Sequence, residues 1–150
     1  MRIKIISVGH TKRRSAFHDL FADYEKRMQW NVEDHEIDAR KFSDQDAQAG
    51  KILDALPDSG GYIFALDERG KTLSSPEIAK KFQQLQLDNF SPVTFIIGGA
   101  DGLTRGVRER ADFLMSFGKQ TWPHQMVRVM LIEQIYRAQQ ILSGHPYHRE

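Results

Sequence analysis

The chain has 150 residues, of which 40% are hydrophobic and 27% charged, a formal net charge of +1 and no cysteine. This length suits one domain, over residues 1–150, that buries a core without disulfides or metal. The lack of cysteine excludes a thiolate nucleophile and cysteine-ligated metals and fits a reducing cytoplasm, and no apolar run approaches the roughly 20 residues of a membrane span.

The net charge argues against a protein that coats nucleic acid nonspecifically, although a local basic surface is compatible with it. Lys12, Arg13 and Arg14 are consecutive cations near the start of the chain. They indicate either such a surface or a solvated loop after a strand, and residue type alone favours the loop.

The first predicted elements are a strand and a helix. "RIKIISVG" is typical of a buried strand, and Gly9 ends it. Ser15 is suited to cap the helix that follows. The apolar face of that helix is expected to contain Phe17, Leu20, Phe21, Tyr24 and Met28.

The stretch "WNVEDHEIDARKF" predicts a weak second strand, whose acidic residues fit only a sheet edge or a solvated face. A helix from Asp44 to Leu56 follows, with Ile52, Leu53 and Leu56 on its apolar face. "PDSGG" breaks the chain, and "YIFAL" predicts a strand at residues 62–66.

The second half repeats the alternation after a polar loop, "DERGKT". Ser75 and Pro76 predict the cap and first turn of a helix that ends near Leu87. "PVTFII" and "FLMSF" predict strands, separated by a short charged helix that Thr104 caps. A long helix starts at Pro123. The alternation predicts an α/β fold, a mostly parallel sheet flanked by helices.

Ligands of open α/β sheets bind beyond the carboxyl ends of the strands, which directs attention to three loops. These loops cover residues 66–70, 98–102 and 117–122. Gly98 and Gly99 would let backbone approach a ligand, but the glycines alone favour a tight turn without a ligand. Neither the dinucleotide fingerprint nor the P-loop spacing is present. The Trp122 ring could pack against a flat heterocycle, although residue type alone favours a place in the core.

Two side chains at the start of the last helix are candidates for chemistry. His124 lies in the first turn, where the helix dipole favours the neutral imidazole, so it could accept a proton; a structural hydrogen bond is the alternative. Arg128, at i+4, could bind a phosphate or carboxylate.

The last helix is apolar on more than one side between Met126 and Leu142, so more than one surface must cover it. A second subunit is one such cover, and burial within the monomer is the alternative. The tail "HPYHRE" adds Tyr147, His148 and Arg149, which suit stacking on a base, proton transfer and phosphate binding; a flexible solvated tail is the alternative.

Together, "IIGGADGL", "TWPHQMVRVMLIEQIYRAQQIL" and "HPYHRE" closely resemble the small members of the SPOUT methyltransferase superfamily that methylate N3 of a pseudouridine in bacterial large-subunit rRNA. The resemblance covers the whole chain. It implies a C-terminal trefoil knot, S-adenosylmethionine as the cofactor, a homodimer formed through the last helix, and 23S rRNA in the 70S ribosome as the partner, with pseudouridine 1915 as the family target. Neither a metal nor a membrane is implied.

The resemblance also implies which residues form the site. The cofactor positions fall on Leu66, Gly98, Phe117, Gly118, Lys119, Gln120, Thr121 and Trp122. The candidates for substrate binding and catalysis are His124, Arg128, Tyr147, His148 and Arg149. A relative that acts on transfer RNA and a non-enzymatic ribosome-binding protein remain alternatives; a flavodoxin-like signalling domain is weaker, because "SVGHTK" after the first strand has no carboxylate.

Overall fold

The computed structural model describes residues 1–149, so Glu150, the last residue of the tail motif, lies outside the described residues. Ten elements alternate along this part of the chain. The strands are β1 (Arg2–Gly9), β2 (Asn31–Asp38), β3 (Tyr62–Thr72), β4 (Val93–Ile97) and β5 (Phe113–Ser116). The helices are α1 (Ala16–Arg27), α2 (Gln45–Ala55), α3 (Ser75–Leu87), α4 (Arg105–Arg110) and α5 (His124–Leu142).

The five strands form one parallel sheet in the order β2-β1-β4-β3-β5. The central strand β4 is buried along its whole length, as its apolar sequence requires. β2 lies at an edge, where only Ile37 is buried and its charged side chains reach solvent. This confirms the predicted edge position of the acidic second strand.

Helices cover both faces of the sheet. On one face, Phe21 of α1, Phe82 of α3 and Leu131 of α5 share a core with the sheet residues Ile5 and Phe95. On the other face, α2 and α4 pack against a second set of strand residues. The predicted α/β fold with a parallel sheet is confirmed, and the trefoil knot stays a prediction.

Two apolar residues of the predicted helix faces point to solvent instead. Leu20 is 50% exposed and Leu53 is 40% exposed, because the buried stripe of each helix is narrower than its apolar pattern. In α1 the stripe centres on Phe21, and in α2 on Ile52 and Ala49.

The helix starts agree with the predicted caps with two small differences. Ser15 and Thr104 accept from backbone N–H groups of α1 and α4 as predicted. For α3 the cap is Ser74, one residue before the predicted Ser75, and Glu77 completes a capping box that lowers the pKa of its carboxyl. Pro123 precedes α5 as its N-cap and provides no side-chain hydrogen bond.

The strand β3 is longer than predicted, because the polar segment after Leu66 pairs with β5. Both Leu66 and Lys71 are opposite Met115, so residues 67–70 form an irregular excursion between them. Gly70 fits there only without a side chain, since a Cβ would lie 2.6 Å from backbone atoms of Leu114 and Met115. The excursion places residues 67–69 beside the carboxyl edge of the sheet.

Candidate functional site

A cavity of about 960 Å³ opens at the carboxyl ends of β3, β4 and β5. Most of its wall comes from the three loops that the sequence singled out, and the rest from the first turns of α2, α4 and α5. A cavity of this size matches those that enclose a small molecule or cofactor in other proteins. Its location also follows the general rule for open parallel sheets.

Most of the predicted cofactor residues line this cavity. They are Leu66, Gly98, Phe117, Gly118, Gln120, Thr121 and Trp122. Lys119 is exposed and is not part of the lining. Trp122 is 38% exposed at the cavity and does not join the core, which corrects the expectation from residue type alone.

The glycines of the "GGADG" loop shape one wall. The Gly102 N–H donates to the Gly99 carbonyl at 3.0 Å, and Gly102 has a φ of +73°, which closes a tight turn. A Cβ on Gly98 would lie 3.0 Å from the carbonyl carbon of Gly102. The turn and the cavity wall are therefore the same feature, so the two explanations of these glycines are compatible.

Ser116 organises the loop that leaves β5. Its Oγ donates to the Gly118 carbonyl at 2.6 Å and accepts from the Gly118 N–H at 3.1 Å. Gly118 has a φ of +116°, a conformation that favours glycine. The loop thereby turns back toward the cavity, and Phe117, Gln120 and Thr121 become part of its wall.

His124 lies where the cavity meets the end of β1. Its imidazole packs on Gly9, because a Cβ at Gly9 would be only 2.8 Å from Nε2. The neighbouring Gln125 donates from Nε2 to the His10 carbonyl at 3.0 Å. These two contacts hold the first turn of α5 against the first loop of the chain.

The cavity wall also contains Asp67, a carboxylate that the sequence did not predict as a site residue. Asp67 follows Leu66, has a side chain that is only 8% exposed, and accepts from the Arg69 N–H at 2.9 Å. The guanidinium groups of Arg69 and Arg108 lie 3.9 Å from its carboxylate. Asp67 could have been predicted as a cavity residue, because it directly follows a buried strand. Nothing in the sequence indicated Arg108.

Arg128 does not line the cavity, although we expected it to face a phosphate. Its guanidinium is buried, pairs with Asp34 of β2 and lies 3.7 Å from the centre of the Phe21 ring. Asp34 neutralises the cation inside the chain, which gives Arg128 a role in joining α5 to the sheet edge.

The tail residues lie farther along α5, away from the cavity. The Tyr147 hydroxyl donates to Glu133 at 3.1 Å, and its ring meets Tyr136 edge-on. Burial, the neighbouring Tyr24 hydroxyl and the Glu133 carboxylate raise the pKa of Tyr147.

His148 and Arg149 complete the tail. Arg137, which Glu133 holds through two hydrogen bonds, places Nη1 3.2 Å from Nδ1 of His148. Arg149 is exposed. Neither residue is among those that line the cavity, so the described chain does not bring its own tail to the ligand site.

Much of the apolar surface of α5 is covered within the chain. Leu131, Ile132, Ile135 and Ala138 are buried in the core shared with the sheet, α1 and α3. The outer side keeps Met126 39% exposed and leaves Met130 half-buried. The sheet, α1 and α3 therefore cover the inner faces of α5, and a second subunit would have to cover only its outer face.

The fold and the cavity define an α/β protein with a cavity of ligand size at the carboxyl edge of its parallel sheet. A family model described as "Predicted SPOUT methyltransferase" matches residues 1–148. The chain belongs to this family. The predicted cofactor, S-adenosylmethionine, is confirmed by that membership, and the cavity with its glycine-shaped walls and aromatic side chains is large enough for it.

Two curated relatives align over nearly their whole length. "Ribosomal RNA large subunit methyltransferase H" of Rhodospirillum centenum is 45% identical over 153 residues, with 99% of both chains covered. The protein of the same name from Rhodopseudomonas palustris is 41% identical over 159 residues, again with 99% of both chains covered.

Among solved structures, the SpoU methyltransferase AviRb from Streptomyces viridochromogenes aligns with 96% of this chain at 12% identity and a TM-score of 0.47. This chain spans 60% of the length of that one. Within residues 1–149, none of the helices is long and apolar enough to cross a membrane, and no group of three His, Asp or Glu side chains is arranged to hold a metal ion.

Proposed function

We propose that this chain transfers a methyl group from S-adenosylmethionine to N3 of a pseudouridine in 23S rRNA, on the assembled ribosome in the cytoplasm. The observation that carries the proposal is the identity of 45%, end to end, with a relative named for large-subunit ribosomal RNA methylation. The tail motif "HPYHRE", with its aromatic, imidazole and guanidinium groups, suits an unstacked RNA base.

The cofactor would be held by the cavity residues of the three loops: Leu66, Gly98, Phe117, Gly118, Gln120, Thr121 and Trp122. Lys119, the other predicted cofactor residue, is exposed between Gly118 and Gln120. When bound, S-adenosylmethionine supplies an electrophilic methyl group. The task of the protein is then to orient the acceptor and exclude water. The apolar side chains of Leu66 and Phe117 suit a dry environment for the reacting atoms.

The acceptor N3 is an imide nitrogen and must lose its proton. A neutral imidazole can take that proton, and the two candidates are His124 at the cavity and His148 of the tail. Tyr147 would stack on the base, and Arg149 would contact a phosphate. Arg128 is left out, because Asp34 already neutralises it.

The tail would act on the cavity of a second copy of the chain. Glu133, which holds Tyr147, is nine residues beyond His124, or about 13 Å along a helix that rises 1.5 Å per residue. A homodimer through the outer face of α5 would bring the tail of one protomer to the cavity of its partner.

The substrate is tested by measuring methyl incorporation into free 23S rRNA, isolated large subunits and 70S ribosomes, followed by mapping of the product nucleotide. We expect incorporation at N3 of one pseudouridine and the highest rate on whole ribosomes. Incorporation into transfer RNA alone would replace this proposal with the transfer-RNA alternative. Ribosome binding without S-adenosylmethionine binding in calorimetry would favour a non-enzymatic role.

The shared site is tested by mixing two inactive variants, one lacking residues 145–150 and one carrying Gly98→Val. Random pairing makes half of the dimers mixed, and each mixed dimer has one intact site of two, so about a quarter of wild-type activity should return. Mixed dimers that are confirmed by mass yet inactive would contradict a composite site.

A further inference from the structure

The loop between β1 and α1 carries a basic surface that the proposed reaction does not use. Lys12, Arg13 and Arg14 are all exposed. Within residues 1–149, none of their side chains hydrogen-bonds or lies within 4 Å of a carboxylate, so their charges are available to a partner. We propose that this triplet, the basic loop, binds phosphates of the RNA that flank the target nucleotide.

Two nearby carboxylates could have neutralised the basic loop, but both are engaged elsewhere. Glu36 accepts three hydrogen bonds from the backbone and hydroxyl of Thr11, at 2.6–3.0 Å. Asp38 is bound by Arg40 at 2.8 Å and 3.0 Å. Glu36 therefore fixes the start of the loop, and the net charge of the loop remains positive.

The basic loop is also fixed relative to the cavity. Two residues before the loop, the His10 carbonyl accepts from Gln125, and Gly9 packs against His124, which lines the cavity. At its far end, the Ser15 N–H donates to the Lys12 carbonyl at 3.2 Å. Because the backbone of the loop is held in this way, binding phosphates would require ordering of the side chains only.

The backbone conformation of Arg14 also indicates that a cation is required in this loop. Its φ of +65° is in the left-handed region, where glycine or asparagine would be less strained. A nucleic acid fits this surface better than an acidic protein does, because guanidinium groups bind phosphate oxygens in pairs. The chain just before the loop also contacts His124, which lines the cavity where the RNA base is proposed to enter.

This inference rests on the proposed function, and its main test is the triple variant K12A/R13A/R14A. A matched control, R2A/K80A/R110A, removes the same charge at three exposed cations that have no ion-pair partner among the described residues and do not line the cavity. Both are assayed on 70S ribosomes whose 23S rRNA is unmethylated, with melting temperature and S-adenosylmethionine affinity as checks on folding.

We expect the basic-loop variant to raise KM for ribosomes roughly tenfold to a hundredfold, with kcat and cofactor affinity close to wild type, since phosphate contacts position the substrate. The salt dependence of binding should flatten by about one phosphate contact per cation removed. Equal KM values for the two triple variants would overturn the inference. If wild type methylates no ribosomal RNA at all, the proposed function itself has failed.

A second measurement identifies the partner directly. Because the chain has no cysteine, Arg13→Cys provides a unique attachment point for a photo-crosslinker. Crosslinks to 23S rRNA beside the methylated nucleotide are expected. Crosslinks confined to ribosomal proteins would overturn the assignment to RNA phosphates.

Discussion

The cavity and the tail are two regions of different construction. The cavity is shaped by backbone, through Gly98, Gly102, Gly118 and the loops that they turn, and it sits at one end of α5. The tail is held by side chains, through Glu133, Tyr136 and Arg137, farther along the same helix. The difference indicates that cofactor binding and methyl transfer can be separated by mutation.

The largest expected effect comes from removing the tail. Deletion of residues 145–150 should lower kcat/KM at least about 100-fold, because it removes a candidate base and the stacking ring. Calorimetry should find S-adenosylmethionine affinity within about twofold of wild type, since the tail does not line the cavity. A truncated protein with full activity would remove the tail from the mechanism.

The next largest effect is on stability and concerns neither region. Arg128→Met should lower the free energy of unfolding by about 2 kcal/mol, because it removes the hydrogen-bonded ion pair with Asp34 and the contact of the guanidinium with the Phe21 ring. Arg105→Met is the matched control, since that arginine is 85% exposed and pairs with Glu109 at the surface, where an ion pair contributes less than about 0.5 kcal/mol. Urea unfolding measures both.

If Arg128→Met unfolds at the wild-type urea concentration yet binds ribosomes weakly, the result would support Arg128 as a phosphate ligand. Asp34→Asn distinguishes the two roles further. If Arg128 has a structural role, Asp34→Asn should lower the free energy of unfolding. If Arg128 binds phosphate, Asp34→Asn should leave the free energy of unfolding unchanged.

A smaller effect is expected in the cavity wall. Gly98→Ala adds a Cβ 3.0 Å from the Gly102 carbonyl carbon and 3.1 Å from Leu103, so the turn must shift. We expect about a tenfold weaker Kd for S-adenosylmethionine, the scale of an overpacked contact. Gly106→Ala, which meets no heavy atom within 4 Å, is the control and should leave Kd unchanged. Equal Kd values for the two variants would contradict a cofactor site at Gly98.

The smallest expected effect concerns the hydrogen bond that holds the tail on α5. Tyr147→Phe keeps the ring against Tyr136 but loses the hydrogen bond to Glu133, and should weaken tail docking by about 1 kcal/mol. The raised pKa of Tyr147 means that folding favours its neutral form, so this stabilisation is present below about pH 10 and is lost as the pH rises above it.

Limited proteolysis of the tail from pH 8 to 11 measures that loss. Cleavage should accelerate above pH 10 in wild type and depend less on pH in Tyr147→Phe. The same pH dependence in both proteins would exclude Tyr147 as the titrating group.

The sequence predicts local features well and distant pairings poorly. The strands, the edge position of β2 and the three cavity loops followed from apolar runs and from the carboxyl-end rule. The extension of β3 past Leu66 did not, because "DERGKT" is polar and its pairing with Met115 depends on a strand about 45 residues later.

The candidate site shows the same limit. His124 could be placed from its position in the first turn of a helix after a loop. Arg128 appeared equally available, and only its pairing with Asp34, 94 residues earlier in the chain, shows that its charge is already neutralised. Exposure of Leu20 and Leu53 likewise depends on how wide a stripe each helix buries, which periodicity alone does not define.

The contacts of α5 also limit how its length can change. His124 and Glu133 are nine residues apart, about two and a half turns, so they project on opposite sides of the helix axis. Each inserted or deleted residue between them would rotate the tail about 100° around the axis and move it about 1.5 Å along it. Substitutions on this segment are therefore far better tolerated than single insertions, and a designer who lengthens the helix would have to add whole turns.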